Sequence, residues 1–351
     1  MKVVSLFIAG GTGKRLWPKS DSTCPKQFVD VLNCGKTLLE ATIERMSFVS
    51  SCEDMYLITD IKFRSIIKSI KLPIPESNII YEPFGRNTSP AINLSMKIIK
   101  EKYLEDVIVI AVPCDHFISN FELFKRAIHQ AVNYCSKTNS IGTIGIVPTF
   151  PNTNFGYIKK GHKLEDGMYL VDVFKEKPFV ELAEEYVASK KYLWNSGIFI
   201  FKLETIMKEF MEHSQEQYTK IAEYHSNNLH SFEQLSNIYD HLKNSSFDKN
   251  IIEKSKNLFV VQGEFDWDDL GTWPAVEKYY CKDENANIVN DIKNILLDDC
   301  KNVSVISYSG DIIISSGLED VLIVSANNKI LIIKKDKIKD IPNLVNLVEK
   351  N

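Results

Sequence analysis

Val3-Val4-Ser5-Leu6-Phe7-Ile8 runs directly into Ala9-Gly10-Gly11-Thr12-Gly13-Lys14-Arg15-Leu16, and Pro25-Lys26-Gln27-Phe28 follows shortly after. The apolar run has the length and β-branching of a buried first strand. Gly10, Gly11 and Gly13, three glycines within four positions, let the backbone turn sharply, so that N–H groups around Thr12 can point at an anion. Arg15 and Lys26 add fixed positive charge of the kind polyphosphate binding needs. A strand followed by a phosphate-handling loop is the expected start of an α/β fold. Two better-known glycine loops are excluded. A Walker loop needs G-x-x-x-x-G-K-[ST], a spacing the chain lacks. A dinucleotide fingerprint begun at Gly11 and Gly13 would carry its third glycine where Leu16 stands, which disfavours an NAD-dependent oxidoreductase.

Outward from that loop, strand-like and helix-like segments alternate over the first two hundred residues. Met55–Thr59, Val107–Val112 and Ile141–Val147 are short apolar runs suited to buried strands. Thr88 to Tyr103 places Ile92, Met96, Ile99 and Tyr103 on one helical face, with Thr88 or Ser89 as its cap and Pro90 in its first turn. Phe121 to Tyr134 reads as a second amphipathic helix. The alternation predicts a mainly parallel, doubly wound sheet. Past Lys282-Asp283-Glu284-Asn285, short strands at Val303–Ile306, Ile312–Ile314, Val321–Val324 and Ile330–Ile333 recur, with turns at Gly310, Gly317 and Asn327-Asn328. This spacing suits stacked β coils or a small sandwich. Lys337 to Lys350 would form a closing helix near Pro342. The pattern divides the chain into a domain over 1–283 and a small β-rich domain over 284–351, whose default role is structural or in assembly.

Composition narrows the function. The 351 residues carry a formal charge of -4, with lysines interleaved with acids, which argues against a nucleic-acid surface. Seven cysteines without a C-x-x-C pair indicate neither a disulfide framework nor a zinc site. No segment approaches the roughly 18 apolar residues of a membrane span, and Lys2 with its short apolar run lacks a cleavage pattern. A cytoplasmic protein is expected. Asp115, at the carboxyl end of the Val109–Val112 run, stands where open α/β sheets bind ligands. Taken alone it suits Mg²⁺ or a helix cap equally. Phe265-Asp266-Trp267-Asp268-Asp269-Leu270-Gly271-Thr272-Trp273 sets three acids beside two tryptophans, an unusual mixture.

The loop together with Pro25-Lys26-Gln27-Phe28 resembles the GGxGxRL…PKQF signature of sugar nucleotidyltransferases, in their mannose-1-phosphate guanylyltransferase branch. Pro113-Cys114-Asp115-His116 is similar to the family's P-S-D-H, with Cys114 in place of serine, and that likeness implies Asp115 as a metal ligand, while His116 reads as structural. Trp267 to Trp273 resembles W-x-D-[VL]-G-[ST]-W, which implies Asp269 as the second magnesium ligand and leaves Asp266 and Asp268 solvated or capping. Glu82-Pro83-Phe84-Gly85-Arg86-Asn87-Thr88-Ser89-Pro90 resembles E-P-x-x-R-N-T-[AS]-P of the guanylyl branch. Guanine offers N1–H and N2–H side by side to one carboxylate, whereas adenine offers an acceptor there, so Glu82 reads as the base reader with Asn87 and Thr88 nearby; each polar group left unpaired by adenine costs about 1–3 kcal/mol. The role of Arg86 stays open between ligand and salt bridge. Asn154 to Ile158, Phe174 to Pro178 and Trp194 to Phe199 resemble T-G-[YF]-G-Y-I, E-K-P and W-N-S-G-I-F. They imply a sugar-phosphate site of Gly156, Tyr157, Glu176, Lys177, Asn195 and Gly197. Phe247 to Lys254 matches its counterpart poorly and receives no site role.

The resemblance implies a Rossmann-like mixed sheet with a short β-helix-like tail, and an enzyme that joins GTP and α-D-mannose 1-phosphate into GDP-mannose and pyrophosphate. Arg15, Lys26, Asp115 and Asp269 would carry the chemistry with Mg²⁺, and Gly10, Gly11, Thr12 and Gly13 would help bind the nucleotide. Rival readings are a nucleotidyltransferase for another hexose 1-phosphate and a catalytically silent regulatory subunit that binds sugar nucleotide. The apolar C-terminal strands suit a homodimer.

Overall fold

β1 (Val3–Ile8) forms on the apolar run that opens the chain. The computed structural model describes residues 1–11, 13–225 and 231–349, so Thr12 lies outside the described residues. The chain forms two compact units. One comprises Met1–Gly10, Ile43–Cys114 and Ile118–Trp267; the other comprises Gly11–Thr42, Asp115–Phe117 and Asp268–Asn351.

In the first unit β1 pairs in parallel with β2 (Met55–Asp60) and β4 (Ile108–Pro113), and β2 with β3 (Ile79–Glu82). Beyond β4 the sheet continues through β5 (Ile141–Ile146), β6 (Tyr157–Glu165), β7 (Met168–Lys175), β8 (Tyr192–Lys202) and β9 (Leu258–Gly263). Among the described residues the order is β3-β2-β1-β4-β8-β5-β9-β7-β6. This corrects the mainly parallel expectation. β8 runs antiparallel to both β4 and β5, and β7 antiparallel to β9. β6 and β7 add an antiparallel hairpin closed by Asp166-Gly167, with Gly167 at φ +70°, a conformation glycine adopts without steric cost.

α1 (Thr88–Lys102) buries Ile92, Met96 and Ile99 as its periodicity dictates. Its cap is not Thr88 or Ser89 but Asn87, whose side chain accepts from the Thr88 N–H at 2.8 Å. The expected caps are used across the unit instead: the Thr88 hydroxyl accepts from the Phe247 N–H at 2.9 Å, and the Ser89 hydroxyl donates to Gln217 at 3.2 Å. α2 (Phe121–Lys137) lays Phe124, Ala127, Ile128 and Ala131 into the core. α3 (Ser231–Asp240) buries Leu235, Ile238 and Tyr239. The apolar cluster running from Val4 and Leu6 through Ile92 and Phe201 to Val260 joins the sheet with α1 and α3, at about 1.5–3 kcal/mol per large side chain removed from water.

In the second unit β10 (Ile288–Val289), β12 (Ser304–Ser307) and β14 (Val321–Ala326) stack in parallel, and β15 (Lys329–Lys334) closes that sheet antiparallel to β14. β11 (Ile295–Asp298) and β13 (Ile313–Ser316) make a second parallel column. Ile288 pairs with Ser304 and Ser304 with Leu322, one coil above the next, so stacked coils rather than a sandwich form. α4 (Ile341–Glu349) follows, with Pro342 in its first turn. Leu16, Val31, Leu270 and Trp273 share one buried cluster with Ile306, Leu322, Ile341 and Val345. The units therefore do not divide at 283/284: the loop after Gly10 packs with the C-terminal coils, because its apolar side chains are buried there.

Candidate functional site

In the second unit the loop is shaped by its glycines. Gly11 and Gly13 take φ of +108° and +60°. A Cβ on Gly13 would stand 2.7 Å from the backbone nitrogen of Lys26, so only glycine lets the loop lie against Pro25-Lys26. The Ser20 hydroxyl donates to the Gly13 carbonyl at 2.5 Å. Arg15 is exposed and, among the described residues, its guanidinium has no hydrogen-bond or ion-pair partner. An exposed, unpaired guanidinium beside a glycine turn is available for a phosphate. Lys14 donates to Asn346 of α4 at 2.9 Å.

Lys26 is buried, and its ammonium lies 3.1 Å from Asp115 Oδ2. The same ammonium donates to the backbone carbonyl of Asp269. The Asp115 carboxylate and the Asp269 backbone carbonyl, far apart in the chain, thus meet at one cation. Burial pushes the Asp115 carboxyl up, yet Lys26 and His116 beside it outweigh burial and hold it below the usual range. Asp269 Oδ1 accepts from the Gly271 N–H at 2.9 Å. Asp268 caps the same turn through the Leu270 N–H at 2.9 Å, as expected of it. Leu270 sits at φ +43°, a strained conformation for a branched residue. Trp273 is fully buried and its indole donates to the Trp17 carbonyl at 3.0 Å. Among the described residues no three His, Cys, Asp or Glu side chains group to hold a metal. Two carboxylates with lone pairs to spare nevertheless fit Mg²⁺, which keeps several waters and takes one or two carboxylates beside substrate phosphates.

In the first unit, Glu82 ends β3 and is buried. It accepts from the Tyr239 hydroxyl at 3.1 Å, and burial pushes its carboxyl up to about 8. Arg86 resolves as structural: its Nε donates to the Tyr239 carbonyl at 3.1 Å and Nη2 to the Asp240 carbonyl at 3.4 Å, at the end of α3.

The sugar-side segments converge in the same unit. A Cβ on Gly156 would meet Glu176 Oε2 at 2.7 Å and Asn195 Cβ at 3.3 Å, so glycine there lets these two approach. Glu176 is buried and ion-paired with Lys177. Tyr157 is fully buried and its oxygen accepts from the Asn152 N–H at 2.9 Å, which leaves its side chain to packing. A register shift in the β5–β8 pairing between Thr143 and Gly145, with Gly197 at φ +74°, aims Asn195. Bulges re-aim side chains in this way. The Asn195 amide is committed to the protein: its oxygen accepts from Thr143 and from the Gly197 N–H, both at 3.1 Å, and its nitrogen donates to Asp248 at 2.8 Å. Asp248 and Glu253 belong to this cluster although no site role was expected there. Glu253 accepts from the Glu176 N–H at 2.7 Å. Burial and the neighbouring Glu176 push the Asp248 carboxyl up to about 7. Both lie in the Phe247–Lys254 segment, whose likeness to its family counterpart was too poor to single them out.

Residues 4–286 match the model of the nucleotidyl transferase family. A mannose-1-phosphate guanylyltransferase of Klebsiella pneumoniae is 31% identical over 99% of this chain and 74% of its own length. A mannose-1-phosphate guanylyltransferase of Sinorhizobium fredii is 29% identical over 98% of this chain and 67% of its own. The crystal structure of a Thermus thermophilus protein described as a mannose-1-phosphate geranyltransferase superposes with a TM-score of 0.87 at 29% identity, over 99% of this chain and 100% of that one. A match over residues 4–286, more than half of its length, shows that the chain belongs to the nucleotidyl transferase family.

Proposed function

We propose that this chain transfers GMP from GTP to α-D-mannose 1-phosphate, giving GDP-mannose and pyrophosphate. The observation that carries the reading is the Lys26 ammonium shared by Asp115 and Asp269, in a chain whose relatives bear that activity in their names. A phosphate oxygen of the sugar phosphate attacks the α-phosphorus of GTP. The bond from that phosphorus to the bridging oxygen breaks, and pyrophosphate leaves with the electron pair. No protein nucleophile is required, so orientation and charge neutralisation are the work of the site. Arg15 and the N–H groups of Gly11 and Gly13 stabilise the leaving pyrophosphate. Lys26 and Lys177 bind the two phosphate groups. Glu82 reads guanine, with Asn87 and Thr88 setting the helix start beside it. Glu176 accepts hexose hydroxyls. Asp115 and Asp269 would hold Mg²⁺, which when bound offsets phosphate charge.

Pyrophosphate release from GTP or ATP with mannose 1-phosphate or glucose 1-phosphate, with Mg²⁺ and with a chelator, tests this reading. Turnover is expected with GTP, mannose 1-phosphate and Mg²⁺ together. Binding of GDP-mannose without turnover would replace the reading by a silent regulatory subunit. Ile330 and Ile332, 62% and 68% exposed on β15, support a homodimer, checked by light scattering. A cytoplasmic setting is supported by seven cysteines that form no disulfide among the described residues; among the described residues no helix is long and apolar enough to cross a membrane.

A further inference from the structure

No motif of the chain marks α3, yet its residue Tyr239 holds the group assigned to base reading. Glu82 has one hydrogen-bond partner among the described residues, the Tyr239 hydroxyl at 3.1 Å. Tyr239 is itself fully buried. Its ring is seated edge-on against Phe84, with centroids 6.0 Å apart at 88°, and its carbonyl accepts from Arg86. The segment Glu82 to Arg86 therefore grips the end of α3 at three points, and only one of them touches the carboxylate.

The geometry points to Tyr239 as a positioning residue for guanine recognition, acting through Glu82. The inference rests on the reading of Glu82 as the base reader. A carboxylate that must accept two adjacent N–H groups needs both oxygens set in one plane toward the base. Tyr239 fixes that plane by donating to Oε1, while a second lone pair on that oxygen and all of Oε2 stay available. The hydroxyl also favours the charged form that guanine requires, against the burial that opposes it. Two groups act on this carboxyl electrostatically: Tyr239 from α3 and Asp60, which lies opposite Glu82 in the β2–β3 pairing. Asp60 raises the carboxyl and is itself engaged by Lys62 at 3.3 Å. Among the described residues Tyr239 is thus the neighbour that stabilises the ionised state.

The test is steady-state turnover with GTP, inosine triphosphate and ATP across pH, on wild type, Tyr239→Phe and Glu82→Gln. Tyr239→Phe keeps the ring and is expected to raise KM for GTP about tenfold, the effect of one hydrogen bond to a charged group. The pH at which GTP binding improves should move up by about one unit, the same energy expressed as a pKa, with KM for mannose 1-phosphate unchanged. A purely structural tyrosine would not move that pH profile. If Glu82→Gln loses GTP preference while Tyr239→Phe shows unchanged KM and pH profile, the positioning role is overturned. If Glu82→Gln keeps full preference for GTP, the base-reader reading fails, and the inference with it. Should Tyr239→Phe not fold, Phe84→Leu unseats the ring without touching either hydrogen-bonding group; the same rise in KM is expected, and an unchanged KM overturns the proposal.

Discussion

The Lys26 ammonium stands 3.1 Å from Asp115 Oδ2, and it keeps that half-buried carboxylate charged. On the proposed function, Lys26→Met should lower kcat by about 10²- to 10³-fold, the size expected for one preorganised phosphate contact. The sign of the pH effect follows from the lowered Asp115 carboxyl. Its contribution to stability is full above the ordinary carboxylate range and is lost as pH falls through the lowered folded value. Thermal melts from pH 7 down to pH 3 should show wild type losing stability to acid from this pair, and Lys26→Met lacking that component.

Gly13 and Gly11 separate close packing from conformational freedom. Gly13→Ala places a methyl 2.7 Å from a backbone nitrogen at φ +60°, whereas Gly11→Ala meets nothing within 4 Å. The left-handed conformation alone costs about 1–2 kcal/mol. Gly13→Ala should therefore depress the melting midpoint by more than Gly11→Ala does and also lower turnover. Equal midpoints for the two variants would contradict the contact.

Asp248 should respond to pH in the opposite sense from Asp115. Its carboxyl, pushed up to about 7 beside Glu176, is more stable protonated, so ionisation erodes stability as pH rises from the normal carboxylate range to that value. Asp248→Asn keeps an acceptor for the Asn195 amide and removes the repulsion. Its melting midpoint should exceed wild type at pH 8 and match it near pH 5. A variant that melts lower at both pH values would refute this.

Arg86 serves the end of α3, where its guanidinium reaches the Tyr239 and Asp240 carbonyls. Arg86→Ala should cost about 1–2 kcal/mol of stability, read as a lower urea midpoint. Loss of turnover without loss of stability would return Arg86 to the ligand.

Much of this was legible beforehand, and the exceptions share a cause. Val3–Ile8, Met55–Asp60 and Ile92/Met96/Ile99 declare themselves because strand and helix burial follow local periodicity. The resemblance implied Asp115 and Asp269 as metal ligands; the Lys26 side chain, bonded to the Asp115 carboxylate and the Asp269 carbonyl, was not foreseen as the link between them. Asn87, as good a cap chemically as serine, was passed over because Thr88 and Ser89 are committed to Phe247 and Gln217, partners far away in sequence. Asp248 and Tyr239 were invisible for a similar reason: their partners, Asn195 and Glu82, are 53 and 157 positions away. The antiparallel half of the sheet carried one readable cue, Asp166-Gly167, within an otherwise helix-and-strand alternation.

The burial of Leu16 with Ile341 and Val345 bears on how this protein can be dissected. A fragment ending at residue 283 would be deprived of the hydrophobic seat beneath its own anion loop. The tail is therefore not a detachable appendage for module-swapping; a graft that exchanges it must preserve the floor that Leu16 rests upon.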